Sequence, residues 1–232
     1  MSKIIYHGHS FVELHINEYT IYIDPFISEN LPYITRNPLC DIKLEDAKCN
    51  YIILTHGHAD HFGSTIELAK SNELTVIATA ELADYLGARD VRNHAMNIGG
   101  AYQFPFGKVK LTLAHHSSST PDGNYAGDPA GILIHTADKT IFHAGDTALF
   151  YDMKLIGETN KIDYAFLPIG DNYTMGIDDA VKAAEYLNAD SVIPIHYNTF
   201  DVIKADANDF KRKIESIGRK CYIMKPGEKL SL

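Results

Sequence analysis

Short apolar runs rich in Ile, Val, Leu and Tyr recur along the chain, separated by turn residues and by stretches with helical spacing of apolar positions. Lys3-Ile4-Ile5-Tyr6, 11–16 and 20–24 predict an N-terminal meander, with a turn at Asn17-Glu18. Residues 51–54 and 75–78 predict two further strands, alternating with helices over 64–71 and 81–87, the second closed by Gly87. The pairs 101–104 with 108–114, joined by Pro105-Phe106-Gly107, and 131–136 with 140–144, turning at Asp138-Lys139, read as hairpins. The rest alternates strand 163–169, helix 177–187, strand 191–196, helix 206–217 and a last strand 221–224 that stops at Pro226-Gly227. This alternation predicts an α/β layered fold. Residues 28–50, with Pro32 and Pro38, form a long irregular excursion of the kind that serves as an entrance flap. With no repeat, linker or low-complexity tract, one domain spanning 1–232 and made of two similar halves is the simplest organisation.

Composition narrows the class. The chain is ordinary for a globular protein, with 45% hydrophobic and 22% charged residues. It has no apolar stretch of the roughly 18 residues that a membrane span needs. The N-terminal apolar segment is broken at once by His7 and His9, so no signal peptide is expected. Three cysteines without close pairing suit reduced thiols in a cytoplasmic protein. A net charge of -9 argues against a broad nucleic-acid or anionic-membrane footprint. A small-molecule substrate, phosphorylated or not, is the expected partner, and a homo-oligomer is left open.

Histidine is the anomaly: of 12, seven cluster as His7 with His9, His56 with His58 and His61, and His115 with His116. The informative point is where the polar clusters fall. Strand 51–54 runs into Thr55-His56-Gly57-His58-Ala59-Asp60-His61, strand 108–114 into His115-His116-Ser117, strand 140–144 into Gly145-Asp146-Thr147, and strand 191–195 into His196-Tyr197. Carboxyl ends of strands in open α/β sheets share one edge, where ligands bind. Imidazole with carboxylate suits zinc and neighbouring divalent metals. His56 and His58, separated by Gly57 alone, aim at one ion, while Asp60 and His61 point toward a second. His116, His196 and the bridging carboxylate Asp146 complete the two sets, at the roughly 3.5 to 4 Å metal separation of binuclear hydrolases.

Thr55-His56-Gly57-His58-Ala59-Asp60-His61 resembles the H-x-H-x-D-H signature of the metallo-β-lactamase superfamily, and His116, Asp146 and His196 follow in that superfamily's order. Gly8-His9-Ser10, Ile23-Asp24-Pro25-Phe26, the serines after His116, His143 to Thr147, Leu167 to Asn172 and Ile193 to Thr199 further resemble metal-dependent hydrolases related to the ascorbate-6-phosphate lactonases. The resemblance implies a four-layer αβ/βα sandwich of two mixed sheets flanked by helices, with the site on one edge. It places His56, His58 and His116 on one metal, Asp60, His61 and His196 on the second, and Asp146 between them. Ala126-Gly127-Asp128-Pro129 stands where the family is expected to have Gly-Gly-Asn-Pro, an added acid that works against a strongly anionic substrate if that loop borders the pocket. Gly176-Ile177 replaces an expected Gly-Pro at a helix start.

The expected activity is hydrolysis of a lactone or phosphodiester by a hydroxide held between two divalent ions, zinc first with manganese, nickel or iron as alternatives. Asp60 is the catalytic residue, orienting that hydroxide. An iron-dependent oxidoreductase on the same scaffold and a non-catalytic metal-binding protein are the rival readings. Asp24 is expected to orient a ligand, and His9, His143, Tyr197 and Asn198 are candidates for supporting or substrate-contacting positions. His7, outside the family motif, is expected to be incidental, as are His15, His94 and His135.

Overall fold

A computed structural model describes residues 2–27 and 37–232. Strands β1 (Lys3–Tyr6), β2 (Val12–Ile16) and β3 (Tyr19–Ile23) form the meander, and β4 (Tyr51–Ile53), β5 (Thr75–Thr79) and β6 (Asn93–Met96) continue parallel to β3. Strands β7 (Ala101–Phe104), β8 (Gly107–Leu113), β9 (Ala130–His135) and β10 (Thr140–His143) are antiparallel, followed in parallel by β11 (Tyr164–Pro168), β12 (Ser191–Ile195) and β13 (Lys220–Cys221). A final strand, β14 (Lys229–Ser231), returns to pair with β1. The result is two seven-stranded sheets, ordered β14-β1-β2-β3-β4-β5-β6 and β13-β12-β11-β10-β9-β8-β7.

Side-chain alternation assigns each strand face to a layer. Ile4, Leu14, Ile23, Ile53 and Ile77 of the first sheet meet Val109, Ile132, Ile141, Phe166 and Ile193 of the second in one fully buried core between the sheets. The alternate residues Ile52, Leu54 and Val76 face outward onto Leu68 of α2 (Thr65–Ser71) and Leu82 and Leu86 of α3 (Ala80–Gly87). Phe142, Leu167 and Val192 likewise face α4 (Met153–Thr159), α5 (Ile177–Leu187) and α6 (Ala207–Ser216). The layers therefore read helix, sheet, sheet, helix, the expected αβ/βα sandwich. A one-turn helix over Ala59–Phe62 interrupts the chain directly after β4.

The pairing directions place the chemistry. Because β8 and β10 are both antiparallel to β9, and β10, β11 and β12 are mutually parallel, all four end on the same edge. Helix α5 occupies the anticipated bounds even without proline, starting after Gly176 in extended backbone. Several details differ from the sequence expectation. Gly87 is the last residue of α3 and no left-handed cap; the left-handed residue is Asp90, φ 61°. Strand β13 is two residues long, and the chain continues past Gly227 into β14. Strand β6 and helix α4 were not anticipated, and among the described residues no helix is long and apolar enough to cross a membrane.

Of the excursion 28–50, residues 28–36 lie outside the described residues. The remainder is tied down: Asn37 donates to the Phe26 carbonyl, the Lys48 amide donates to the Tyr22 hydroxyl, and a short 3-10 turn spans Leu44–Asp46. His7 is part of this anchoring and not incidental. Its buried ring lies 2.7 Å from Asp41 Oδ1 and 2.9 Å from Glu13 Oε2 and meets the Phe11 ring at a tilt of 35°, while Glu13 also pairs with His15. Burial by itself lowers the His7 pKa, but Glu13 and Asp41 overcome it and the net shift is upward. Burial would raise Glu13, yet His7 and His15 hold it below the usual range. A raised His pKa stabilises fully below the unfolded value of about 6.5 and is lost as pH climbs through the folded one; a depressed Glu pKa stabilises above about 4.3 and is lost on acidification. His7→Gln should therefore lower the unfolding free energy by about 1.5–3 kcal/mol at pH 6 and by less at pH 9, read by denaturant titration. Equal losses at both pH values would reduce His7 to packing.

Candidate metal centre

Each donor arrives on a strand end or the turn just beyond it. After β4, Thr55 to His58 turn sharply into the one-turn helix, which carries Asp60 and His61. Gly57 sits between the two histidines for want of space, not for a left-handed φ: a Cβ there would lie 2.6 Å from the Ser119 carbonyl oxygen and 2.8 Å from Ala126 Cβ. The loop after β8 thus packs directly on the His-Gly-His turn, and Ser118 Oγ accepts the Gly57 amide at 3.1 Å. His196 follows β12 with φ 51°, and its amide donates to the carbonyl of His9, itself at φ 57°. Left-handed backbone at two non-glycine residues costs energy, and such strain gathers where function fixes a side chain.

The donors form three overlapping groups whose ligand atoms lie within 4.8 Å of one another: His56, His58 and His116; His9, Asp60, His61 and His196; and His56, His61 and Asp146. In the first, His56 Nε2 is 2.9 Å from His58 Nδ1. Asp146 adjoins both others, with Oδ1 3.2 Å from His61 Nε2 and Oδ2 3.1 Å from His196 Nε2 and 3.5 Å from His116 Nε2. These approaches are close but misaligned: His61 Nε2, His196 Nε2 and Asp146 Oδ1 are buried and have no hydrogen-bond partner. Buried polar atoms are nearly always satisfied, so convergent orphans that can each present a lone pair, imidazole nitrogen and carboxylate oxygen, fit a cation between them in place of a proton. The donor set, imidazole nitrogen with carboxylate oxygen, suits zinc and neighbouring divalent metals.

The beta-lactamase superfamily domain matches residues 19–197, most of the chain. The chain belongs to this superfamily. A UPF0173 metal-dependent hydrolase of Anoxybacillus flavithermus is 56% identical over 99% of this chain and 100% of its own length. Another from Bacillus cereus strain B4264 is 52% identical with the same coverage. Among solved structures, Igni18, a metallo hydrolase of the archaeon Ignicoccus hospitalis, is 37% identical with a TM-score of 0.89 over 99% of this chain and 97% of that one. The diiron β-hydroxylase CmlA of Streptomyces venezuelae, at 13% identity and a TM-score of 0.76, covers all of this chain with 54% of its own and shares the fold alone.

Around the donors of this superfamily member, supporting groups fix orientation. Asp24 is fully buried, accepts the Thr55 amide at 2.8 Å and hydroxyl at 2.6 Å, and lies 2.8 Å from His61 Nδ1. That contact directs His61 Nε2 toward Asp146, the usual device by which a carboxylate orients a ligating imidazole. His9 is held at Nδ1 by Thr199 Oγ1 at 2.9 Å, leaving Nε2 3.1 Å from Asp60 Oδ2. The other candidates are placed elsewhere. His143 has both ring nitrogens engaged by backbone, the Ser10 carbonyl and the Gly145 amide. Tyr197 packs into the core under α5 and α6, and Asn198 bonds both ways to the Ala205 backbone. His115 stacks on Phe150. Ser118 hydrogen-bonds as expected of the serines after His116, whereas Thr55 and Thr199 are contributors that residue chemistry did not single out; each lies within a motif, which was the available signal.

Electrostatics follow from burial. Burial alone would raise Asp60 and Asp146, but His196 and His9 beside Asp60, and His196 and His61 beside Asp146, hold both carboxyls well below the usual range. His56, His58 and His116 are lowered, chiefly by burial, so their rings are neutral and fit to ligate. Burial also opposes charge on His61 and His196, yet Asp146 outweighs it, and His196 is pushed up to about 9. Gly57→Ala should lower divalent-metal affinity by about 10-fold or more, read by competition with a chromophoric chelator, with native circular dichroism. Unchanged affinity would show that the contact with Ser119 does not aim His56 and His58.

Proposed function

We propose that the chain is a metal-dependent hydrolase with a binuclear centre. In this reading His56, His58 and His116 hold one divalent ion, Asp60, His61 and His196 hold the second, and Asp146 is shared. The observation that carries it is the meeting of unpartnered, buried His61 Nε2, His196 Nε2 and Asp146 Oδ1 between the two sheets. The relatives named metal-dependent hydrolases, more than half identical over nearly the whole chain, support it. Zinc is the first expectation, with manganese, nickel or iron as alternatives, and a small molecule in the cytoplasm is the expected partner.

When bound, such ions supply Lewis-acid polarisation of the scissile oxygen and lower the pKa of water toward about 7. The protein's own part is positioning. Asp60 stays ionised, and among the described residues its Oδ2 is fixed by His9, which leaves Oδ1 to orient an attacking water. Asp24 holds His61 from behind, so the ring cannot turn away from the centre. Ser118 is engaged as an acceptor for the Gly57 amide, which supports direct attack by water over a serine nucleophile. The scissile bond is an ester, with a lactone or phosphodiester in keeping with the resemblance to the ascorbate-6-phosphate lactonases.

The test is metal quantification followed by a lactone and phosphodiester panel. Wild type should turn over at least one class, lose activity to chelator and regain it with zinc or manganese. Asp60→Asn should lose about 100-fold or more in kcat, and His116→Ala should lose metal and turnover. His116→Ala with wild-type activity on every substrate would remove that ligand. Oxygen-dependent turnover with iron and no hydrolysis would replace the reading by oxidation. Metal binding with no turnover at all would leave a binding protein.

A further inference from the structure

The donors explain where bond cleavage would occur but not which molecules reach them. Access is set by the loops that follow the strand ends, and their chemistry is one-sided. The described segments that carry or directly flank the donors, 7–11, 24–27, 54–64, 114–129, 144–152, 169–176 and 196–203, contain neither lysine nor arginine, while the segment 37–50, which packs on Gly8 through Leu39, carries Lys48 and Lys43, the latter 4.0 Å from Glu45. The nearest cations are engaged: Arg89 pairs with Asp122 at 3.0 Å and Lys204 with Asp201 at 2.6 Å. Asp128 and Asp171 remain exposed with no cationic partner among the described residues, and Glu81 lies against Gly127 beside Asp128.

The same loops expose apolar bulk. Tyr125, 67% exposed, is next to Ala126, which packs near Gly57 of the His-Gly-His turn. Tyr173, 59% exposed, is two residues from Met175, whose amide donates to the carbonyl of Thr147, the neighbour of Asp146. Val202, 58% exposed, sits in the turn that the Asn198 amide closes onto Ile203, just beyond His196. Three separate loops thus each carry an exposed apolar side chain close in sequence to a residue that contacts a donor-bearing turn. Large exposed apolar groups grouped around a site mark ligand contact.

We propose that this rim selects uncharged carboxylic esters with an apolar body and disfavours phosphodiesters and other anions. The inference rests on the hydrolase reading and chooses among its substrate classes. A phosphodiester carries a full negative charge past Glu81, Asp128 and Asp171 with no basic side chain on the described donor-bearing segments to receive it, and a field of one sign at a cleft changes encounter rates accordingly. An uncharged ester meets no such barrier, and its apolar body gains contact with Tyr125 and Tyr173.

Two readouts test this, one of them independent of turnover. First, kcat/KM is compared for p-nitrophenyl hexanoate and the p-nitrophenyl monoester of adipic acid, which share bond and leaving group and differ by a terminal carboxylate. The hexanoate should be favoured about fivefold or more at low salt. That ratio should shrink toward about twofold near 0.5 M salt and in Asp128→Lys, while bis(p-nitrophenyl) phosphate is the slowest of the three. Tyr173→Ala should reduce kcat/KM for the hexanoate more than for the acetate. Second, the chain has no tryptophan, so Tyr125→Trp supplies a single reporter at the rim. Its quenching by iodide, taken relative to that of free N-acetyltryptophanamide at the same ionic strength, should be weaker than its quenching by caesium on the same scale, and Asp128→Lys should close that gap. Adipate monoester or phosphodiester turned over as well as hexanoate, or equal normalised quenching by the two ions, overturns the charge selection while leaving hydrolysis intact. Absence of metal-dependent turnover on all three substrates overturns the hydrolase reading and this inference with it.

Discussion

Asp146 is a buried carboxylate at the seam of two sheets, and the arrangement around it follows from what such a group demands. A buried charge is tolerable only with partners of opposite sign. Asp146 finds them in His61 from the first half of the chain and His196 from the second. None of these approaches involving His61 Nε2 and His196 Nε2 is a well-aligned hydrogen bond, so the polar atoms remain unsatisfied among protein groups. The halves are held at that spacing by the apolar layer between them, which has no freedom to relax around an awkward carboxylate. Left-handed backbone at His9, Asp24 and His196 is a second cost borne at the same place. A fold that, among the described residues, concentrates strain and unpaired buried polar atoms on one edge is organised for a ligand there.

What the sequence made legible was the part written in short-range pattern. Strand and helix periodicity located α5 at its true bounds and put His56, His116, Asp146 and His196 beyond strand ends. The two His-Gly-His tripeptides separated as well, because one is followed by Asp60 and His61 and the other is not. Less legible was anything decided by distant partners. Strand β14 is three residues of alternating polarity whose pairing with β1 comes from opposite ends of the chain. His7 looks incidental until Asp41, 34 positions away, folds onto it. Tyr197 and Asn198 share a motif with His196, but the left-handed turns at His196 and Asn198 send their side chains into the outer core and a loop carbonyl. Gly57 was legible as the spacer between His56 and His58, but the close approach of the Ser119 carbonyl that requires glycine there comes from a loop 61 positions away.

The fold by itself does not decide the reaction, since a diiron hydroxylase shares it. The weight therefore falls on side chains. Asp60, His61 and His196 stand beside His56, His58 and His116 in overlapping groups of potential donors, which in the proposed reading form two sets, and the identity to metal-dependent hydrolases at over half of all positions supports a hydrolase.

Division of labour between strand ends and loops then accounts for how one centre can serve one substrate class and refuse another. The donors are fixed by the sheet core: moving His196 means moving β12, whose neighbours on both sides are hydrogen-bonded strands. Tyr125, Asp128 and Tyr173 have no such constraint, being exposed on loops whose anchoring contacts are made by adjacent residues such as Ala126 and Met175. Substitution at the rim can change the charge and breadth of the mouth without disturbing ligand spacing, whereas any change at Asp146 disturbs both sheets at once. In the proposed reading an acid at position 128 acts on selectivity without involving the donor set, because it alters the field an approaching substrate crosses and leaves the bond-breaking geometry as it was.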